Sequence, residues 1–416
     1  MSRFLFVVPP LPGHITPAAA VAAELAGRGH DVAWAGQSAV LDGLVATGHP
    51  VFPCADVPAV EDRPRELRGA AALRFLWASY FAPLAYAMAP GVTAAVMEFG
   101  PDLLVVDQQT VAGALVAERL GVPYATCCTN PAGLPGSSLT DRPGSRYATS
   151  QPGEGTSDLL EGLRLRLGDP SAPYDPRFSP RLTLVFSTGE LVGPQPPERG
   201  PVRFVGPLYA SMPVPAAVPG VETADFPWGW VDRDDGRALV LVDLGAPDSP
   251  VDARFLAQCV DGARARSREV RAVVADPAGI LGPPRGDDDI LIHPAVPRRA
   301  LLARTHAVVC HGGHHAVTEA LWHGTPLVVA PVRDDQPVVA AQVAAVGAGV
   351  RVRRGGADAK AVGSALDAVL GQPHFAAAAR RVGRSLREAG GAPSAAAQLE
   401  ELAIAEQENP WQGLQI

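Results

Sequence analysis

The amino-terminal segment RFLFVVPPLPGHITPAAAVAAELAGRGHDVAWAG constrains the fold more than any other part of the chain. Phe4 to Val8 is an unbroken apolar run, and a strand without polar alternation is one buried on both faces. The loop PPLPGHI leads to Thr16 and Pro17. Threonine is a good N-cap, and proline suits a first helical position, where its missing N–H would have no partner anyway. The pattern predicts an alanine-rich helix from there to Arg28, stopped by Gly29, and a second strand from Asp31 to Ala35. Strand, helix, strand in that order is the parallel doubly wound unit. Its ligands bind outside the carboxyl ends of the strands, where the PGHI loop falls.

The unit recurs. Asp102 to Asp107 reads as a buried strand, Val111 to Leu120 as its helix, Gly121 as the helix stop and Val122 to Thr126 as the next strand. From about Asn130 to Pro180 the chain is rich in Gly, Pro, Ser and Thr, a composition that builds no core and predicts a long surface loop, either a lid or an insertion. Prolines cluster again between Gly206 and Pro227, as in a semi-rigid linker. Beyond it Ala238 to Leu244 starts a second series: a turn at Gly245, a helix over Asp252 to Ser267, and strands at Val270 to Ala275, Ile290 to Ile292, Ala307 to Cys310 and Pro326 to Ala330. Residues from Pro373 to Glu406 predict carboxyl-terminal helices.

At 416 residues the chain exceeds what one hydrophobic core usually supports. Two α/β doubly wound domains are therefore expected: 1–210, then 225–395, with 396–416 as a helix or tail returning to the first. A net charge of -8 argues against a polyanion-binding surface, hence against nucleic acid as a partner. The five cysteines form no CxxC pair, which makes a disulfide framework improbable and favours a reducing, cytoplasmic setting. No stretch of about 20 uninterrupted apolar residues is present, so no membrane span is expected.

Two places carry chemistry. His14 lies in the loop after the first strand, ahead of a helix N-terminus expected to keep the imidazole neutral, as a general base requires. Asp107 ends a buried strand at the same sheet edge, where it either orients and stabilises His14 or caps the helix at Val111. The second place is HGGHHAVTEALWHGTPLVVAPVRDDQ, His311 to Gln336. Gly312 and Gly313 before a helix let backbone N–H groups approach an anion, and the helix dipole favours phosphate there. Glu319 about one turn later, then Asp335 and Gln336 after the next strand, add groups suited to a diol and to hydroxyls. A nucleotide sugar carries all three features.

With these residues in place, the chain resembles the glycosyltransferases that use nucleotide-activated sugars in the two-domain architecture called GT-B, most of all actinobacterial natural-product enzymes of the macrolide and aromatic polyketide type. The resemblance runs from PGHI through the PRRALL to DDQ block. It implies two Rossmann-like domains facing a central cleft and an inverting, in-line transfer from a UDP- or dTDP-sugar to a small hydrophobic aglycone. No cofactor and no metal are implied beyond that nucleotide-sugar co-substrate. By the same resemblance His14 deprotonates the acceptor and Asp107 supports it. His311 with Gly312 and Gly313 holds the diphosphate, Glu319 the ribose, and Asp335 and Gln336 the sugar, while Gly245, Arg298 and His315 complete the donor seat. A homodimer is left open.

Several positions depart from the pattern of that family. Asp243 and Ala246 stand at the first glycine turn of the second domain, where a serine or threonine is usual, and an aspartate facing a diphosphate would repel it. Ala295 stands where an aromatic often stacks on the base, Arg298 where a glutamine is usual, and His315 and Ala316 at phosphate contacts. Arg298 and a protonated His315 could restore some positive charge. His311, His314 and His315 could share a helix face around zinc, although the glycine turn accounts for His311 without it. In FLWASYFAPLAY, Phe75, Trp77 and Phe81 are expected to line an acceptor pocket, the competing reading being a buried amphipathic helix. Besides glycosyl transfer, a non-catalytic or auxiliary homologue and an enzyme with an atypical donor remain as readings, and titration with UDP and dTDP separates them.

Overall fold

The computed structural model describes residues 1–55, 67, 69–131, 134, 156–193, 200–208, 226–245 and 249–408. Ala246, most of the predicted loop after Asn130 and most of the proline-rich linker lie outside the described residues.

The apolar runs form two parallel sheets. The first consists of β1 (Arg3–Val7), β2 (Asp31–Gly36), β3 (Val51–Pro53), β4 (Leu103–Asp107), β5 (Tyr124–Cys128), β6 (Thr183–Val185) and β7 (Val202–Phe204), in the order β3-β2-β1-β4-β5-β6-β7. The second consists of β8 (Ala238–Asp243), β9 (Val270–Ala275), β10 (Arg285–Gly286), β11 (Ile290–His293), β12 (Ala307–Cys310), β13 (Leu327–Val329) and β14 (Gly349–Arg351), in the order β10-β11-β9-β8-β12-β13-β14. Among the described residues only the short β10 pairs antiparallel, with β11. Each sheet reverses direction once, between β1 and β4 and between β8 and β12. At such a switch point the flanking loops run to opposite faces and leave a crevice. All five residues of β4 and β5 are buried, as helices on both faces require.

The first helix corrects a boundary. It spans Pro12–Gly27, so His14 is inside its first turn and Pro17 is an interior proline, not the first residue. Without an N–H, Pro17 leaves the Gly13 carbonyl with no helical donor, while the Thr16 hydroxyl donates to Pro12 O at 2.8 Å. The segment predicted as loop also contains a helix, Ser157–Leu167, docked through Arg164 Nη2 to Glu118 Oε1 at 3.0 Å. Its apolar spacing, Leu160 and Leu163 on one face, was hidden by the Gly- and Ser-rich residues before it.

The last helix, Gly391–Glu408, starts in the second half of the chain but packs on the first sheet. Ala392, Ala395, Ala396, Leu399 and Ala403 join the core of Phe4, Phe6, Ile15, Val21 and Leu25. Its Glu400 bridges Arg28 at 2.7 Å and His30 at 2.8 Å. One run, Ala71–Phe99, is long and apolar enough to cross a membrane by length and composition, yet more than half of its apolar stretch is buried within the protein. Met88, Val92 and Phe99 from that run belong to the same hydrophobic core as Leu104 and Val106 of β4.

Candidate active site

Both groups of singled-out residues sit at the switch points. In the first sheet β1 and β4 are neighbours, with Val7 opposite Val106, so the loop after β1 and the end of β4 meet. His14 Nδ1 lies 2.9 Å from Asp107 Oδ2. Asp107 is 2% exposed, and its other oxygen, Oδ1, accepts from Gln109 N–H at 2.9 Å. Asp107 does not cap the Val111–Leu120 helix, whose N-cap is Thr110 with no side-chain cap bond; one of its oxygens orders the turn before that helix and the other lies against His14.

Thr129 completes the cluster and went unnoticed in the sequence. Its Oγ1 is 2.7 Å from His14 Nδ1 and 3.2 Å from Asp107 Oδ2. Predicting β5 to end at Thr126 hid it; the strand continues to Cys128, which puts Thr129 at the same carboxyl edge. Burial pulls the His14 imidazole down, but Asp107, through its charge and hydrogen bond, and Asp335 outweigh this, so the pKa is raised above its ordinary value. The expectation that the helix N-terminus would depress it is thus corrected, because a contact carboxylate outweighs a partial dipole charge.

In the second sheet β8 and β12 are neighbours, with Cys310 opposite Asp243, so the Gly245 turn and the His311–Gly313 turn are side by side. Gly312 has φ +88°, and a Cβ there would meet Val329 Cγ1 at 2.7 Å. Only glycine tolerates both. A Cβ on Gly313 would lie 2.6 Å from His311 Nε2, so the pair also lets the imidazole fold over the turn. Burial lowers the pKa of His311, and among the described residues its buried Nδ1 has no hydrogen-bond partner.

The charges around this turn differ from expectation. Asp243 is not a bare anion: its Oδ2 accepts from Arg298 Nε and Nη2, both at 2.7 Å, and its Oδ1 accepts from Gly245 N–H at 3.1 Å. Arg298 also stands 3.7 Å from Glu319 Oε2, and Arg299 stands 3.9 Å from Oε1. Arg298 thus neutralises Asp243 rather than supplying a spare positive charge to the turn. Burial raises the Glu319 pKa against the pull of the two arginines. His315 is corrected as well: burial, then Arg298 and Arg299, push its imidazole down to about 4, so it is neutral at neutral pH. His314 is buried, likewise pushed down by burial to about 4, with Nε2 3.4 Å from Phe186 O. Among the described residues no three His, Cys, Asp or Glu side chains gather as a metal site.

The acidic-amide pair follows β13. Asp334 adopts φ +55°, a left-handed turn that brings Asp335 to the start of the Gln336–Ala345 helix. Burial pushes the Asp335 carboxyl up to about 6, against a hydrogen bond from the His314 backbone. Gln336 Oε1 accepts from Val332 N–H at 2.9 Å and closes its own loop. Asp335 and His14 feel each other electrostatically, so the two switch points face one another. A cavity of about 50 Å³ lies there, with Gly13, Pro17 and Thr129 on one wall and His314, His315 and Thr318 on the other.

Two of the aromatics proposed for the acceptor are placed elsewhere. Trp77 is 4% and Phe81 2% exposed, in a π-helical stretch (Trp77–Phe81) whose extra residue per turn rotates both into the core, their rings 5.1 Å apart. They present almost no surface to a ligand, and the amphipathic-helix reading replaces the pocket reading for them. Phe75 is half-buried.

Known proteins share this fold. Residues 287–402 match the family model described as erythromycin biosynthesis protein CIII-like, C-terminal domain. Over 92% of this chain, and 94% of the relative, the sequence is 29% identical to 4'-demethylrebeccamycin synthase of Lentzea aerocolonigenes. The chain is a glycosyltransferase of the GT-B fold. A second relative of this glycosyltransferase, demethyllactenocin mycarosyltransferase of Streptomyces fradiae, is 26% identical over 97% of this chain and 87% of its own. The structure of CalG4, the calicheamicin glycosyltransferase, superimposes with a TM-score of 0.72 at 23% identity, covering 97% of this chain and 98% of its own.

Proposed function

We propose that this glycosyltransferase moves a sugar, with inversion, from a nucleoside-diphosphate donor to a hydroxyl of a small hydrophobic natural product, with His14 as general base and Asp107 as its partner. The observation that carries the reading is the 2.9 Å contact between His14 Nδ1 and the buried Asp107. With Nδ1–H donated to Asp107, Nε2 is left as the basic nitrogen, and the imidazolium formed on taking the acceptor proton is stabilised by the carboxylate. Thr129 holds the ring from the side. In-line attack then needs the anomeric carbon between His14 and a leaving diphosphate on the Gly312–Gly313 turn. There the N-terminus of the His314–Trp322 helix stabilises the charge that develops. Asp335 and Gln336 flank the place the sugar would take.

The acceptor chemistry is taken from the names of two relatives, 4'-demethylrebeccamycin synthase and demethyllactenocin mycarosyltransferase. His14→Ala tests the reading. Transfer, followed by product mass with a panel of UDP- and dTDP-sugars, is expected to fall by at least about 10²-fold with nucleotide affinity unchanged. An unchanged rate would sink the assignment.

A specific observation favours a second reading, an atypical donor. Asp243, Arg298, Glu319 and Arg299 form one ionic cluster, so Glu319 already faces two guanidinium groups where a ribose diol would bind. Calorimetric titration with UDP and dTDP distinguishes the two readings.

A further inference from the structure

A second cavity, of about 900 Å³, opens in the donor domain between the start of the Pro250–Arg264 helix, the segment after β13 and the segment after β14. Ser249, Asp252, Val332, Arg351, Arg353 and Arg354 are among its lining residues, and His311, Glu319, Asp335 and Gln336 are not. Among the described residues the charged members of its lining are Arg351, Arg353, Arg354 and Asp252.

Arg354 is the distinctive member. Its side chain is 7% exposed, and its Nη1 donates to Asp252 Oδ1 at 2.6 Å. Among the described residues its buried Nε and Nη2 have no hydrogen-bond partner. A buried guanidinium with two donors unmatched is costly unless a ligand or solvent accepts from them. The group is also held in place: its guanidinium carbon lies 5.6 Å from the Phe255 ring centroid, and Asp252 is itself fixed by Ser249 Oγ at 2.7 Å. Ser249 is the N-cap of a 15-residue helix, so the positive end of that dipole opens on the same space.

We infer that this cavity binds the phosphate group of a phosphorylated small molecule at a site separate from the candidate nucleotide-sugar cleft. Arg354 supplies the buried paired donors, Arg351 and Arg353 supply charge at the exposed rim, and the helix beginning at Pro250 supplies the favourable field. A guanidinium fork matches two phosphate oxygens in a way an ammonium cannot. The volume accommodates more than a bare phosphate, which is why a phosphorylated molecule is the natural occupant.

The test uses the full chain and inorganic phosphate as probe, titrated calorimetrically at low ionic strength. Wild type is expected to bind with a millimolar or lower dissociation constant. Arg354→Lys is expected to weaken binding by about tenfold or more, since it keeps a charge but loses the fork. The exposed double variant Arg351→Gln/Arg353→Gln, which leaves the buried pair with Asp252 in place, is expected to weaken it by about threefold or more. His14→Ala leaves phosphate binding unchanged, so failure of this inference and failure of the functional proposal read out separately. Absence of binding to wild type at about 10 mM phosphate, unchanged affinity in the double variant, or competitive displacement by UDP or dTDP overturns the inference.

Discussion

Replacing Asp107 by Asn is the sharpest perturbation of the proposed mechanism, because it changes charge at nearly constant volume. Asp107 Oδ2 lies 2.9 Å from His14 Nδ1, and Thr129 Oγ1 contributes a further contact at 3.2 Å. Two unit charges about 4 Å apart at an effective dielectric constant near 20 interact by roughly 4 kcal/mol, equivalent to about three pKa units. In the wild type burial is the largest single effect on the imidazole, and the pKa is raised because this attraction, the Asp107 hydrogen bond and the charge of Asp335 together outweigh it. In Asp107→Asn only burial and the weaker influence of Asp335 remain, so the His14 pKa falls. Two effects follow. The imidazolium formed on proton transfer loses its counter-charge, and kcat is expected to fall by about 10²- to 10⁴-fold. The limb of the pH–rate profile on which the base deprotonates lies above pH 6.5 in the wild type and shifts to lower pH in the variant. The assay is the initial rate of transfer across pH 5–9 with a productive donor and acceptor. A kcat within about threefold of wild type together with an unmoved limb would refute the reasoning. Stability offers a check on sign. A histidine whose folded pKa is raised contributes stability fully below its unfolded value of 6.5, and that contribution is lost as pH rises through the folded pKa. Asp107→Asn should remove this component, which thermal unfolding against pH measures.

Three other variants probe the donor side and the core. Arg298→Gln leaves Asp243 without its bidentate partner; because Arg298 is 36% exposed, the expected loss is about 1–2 kcal/mol, read from chemical denaturation, with at least tenfold weaker nucleotide binding by calorimetry. Asp335→Asn should stabilise the unliganded protein at pH 7 by up to about 3 kcal/mol, since a carboxyl pushed up to about 6 binds its proton more tightly folded than unfolded and stability drains away as pH rises from about 4 to 6; the variant should lose that slope, and lose transfer, and an unchanged slope contradicts the assignment. Trp77→Ala should cost about 3–5 kcal/mol in unfolding free energy as a core truncation, whereas a change confined to acceptor KM would restore the pocket reading.

The approach of Arg298 to both Asp243 and Glu319 explains how the departures in sequence coexist. Taken singly, Asp243 looks repulsive and Arg298 looks compensatory; in the fold they neutralise each other, and Glu319 is drawn into the same cluster. Ionic partners separated by 55 positions in the chain cannot be matched from spacing, because the pairing depends on which strand ends are neighbours. Thr129 and His14, 115 positions apart, are a second case.

Local chain physics made the two doubly wound sheets, the placing of His14 and Asp107 at one strand edge, and the glycine turn at Gly312–Gly313 legible from the amino acids alone. Unbroken apolar runs, glycine stops and strand–helix alternation are short-range signals that survive without knowledge of partners. Tertiary structure alone decided which charges meet, what His14 and His315 do with a proton, and whether Trp77 and Phe81 face a ligand or the core. Each of these depends on burial and on distances of a few ångströms between residues remote in sequence. A π-helical stretch of five residues was enough to turn an apparent aromatic pocket into packing.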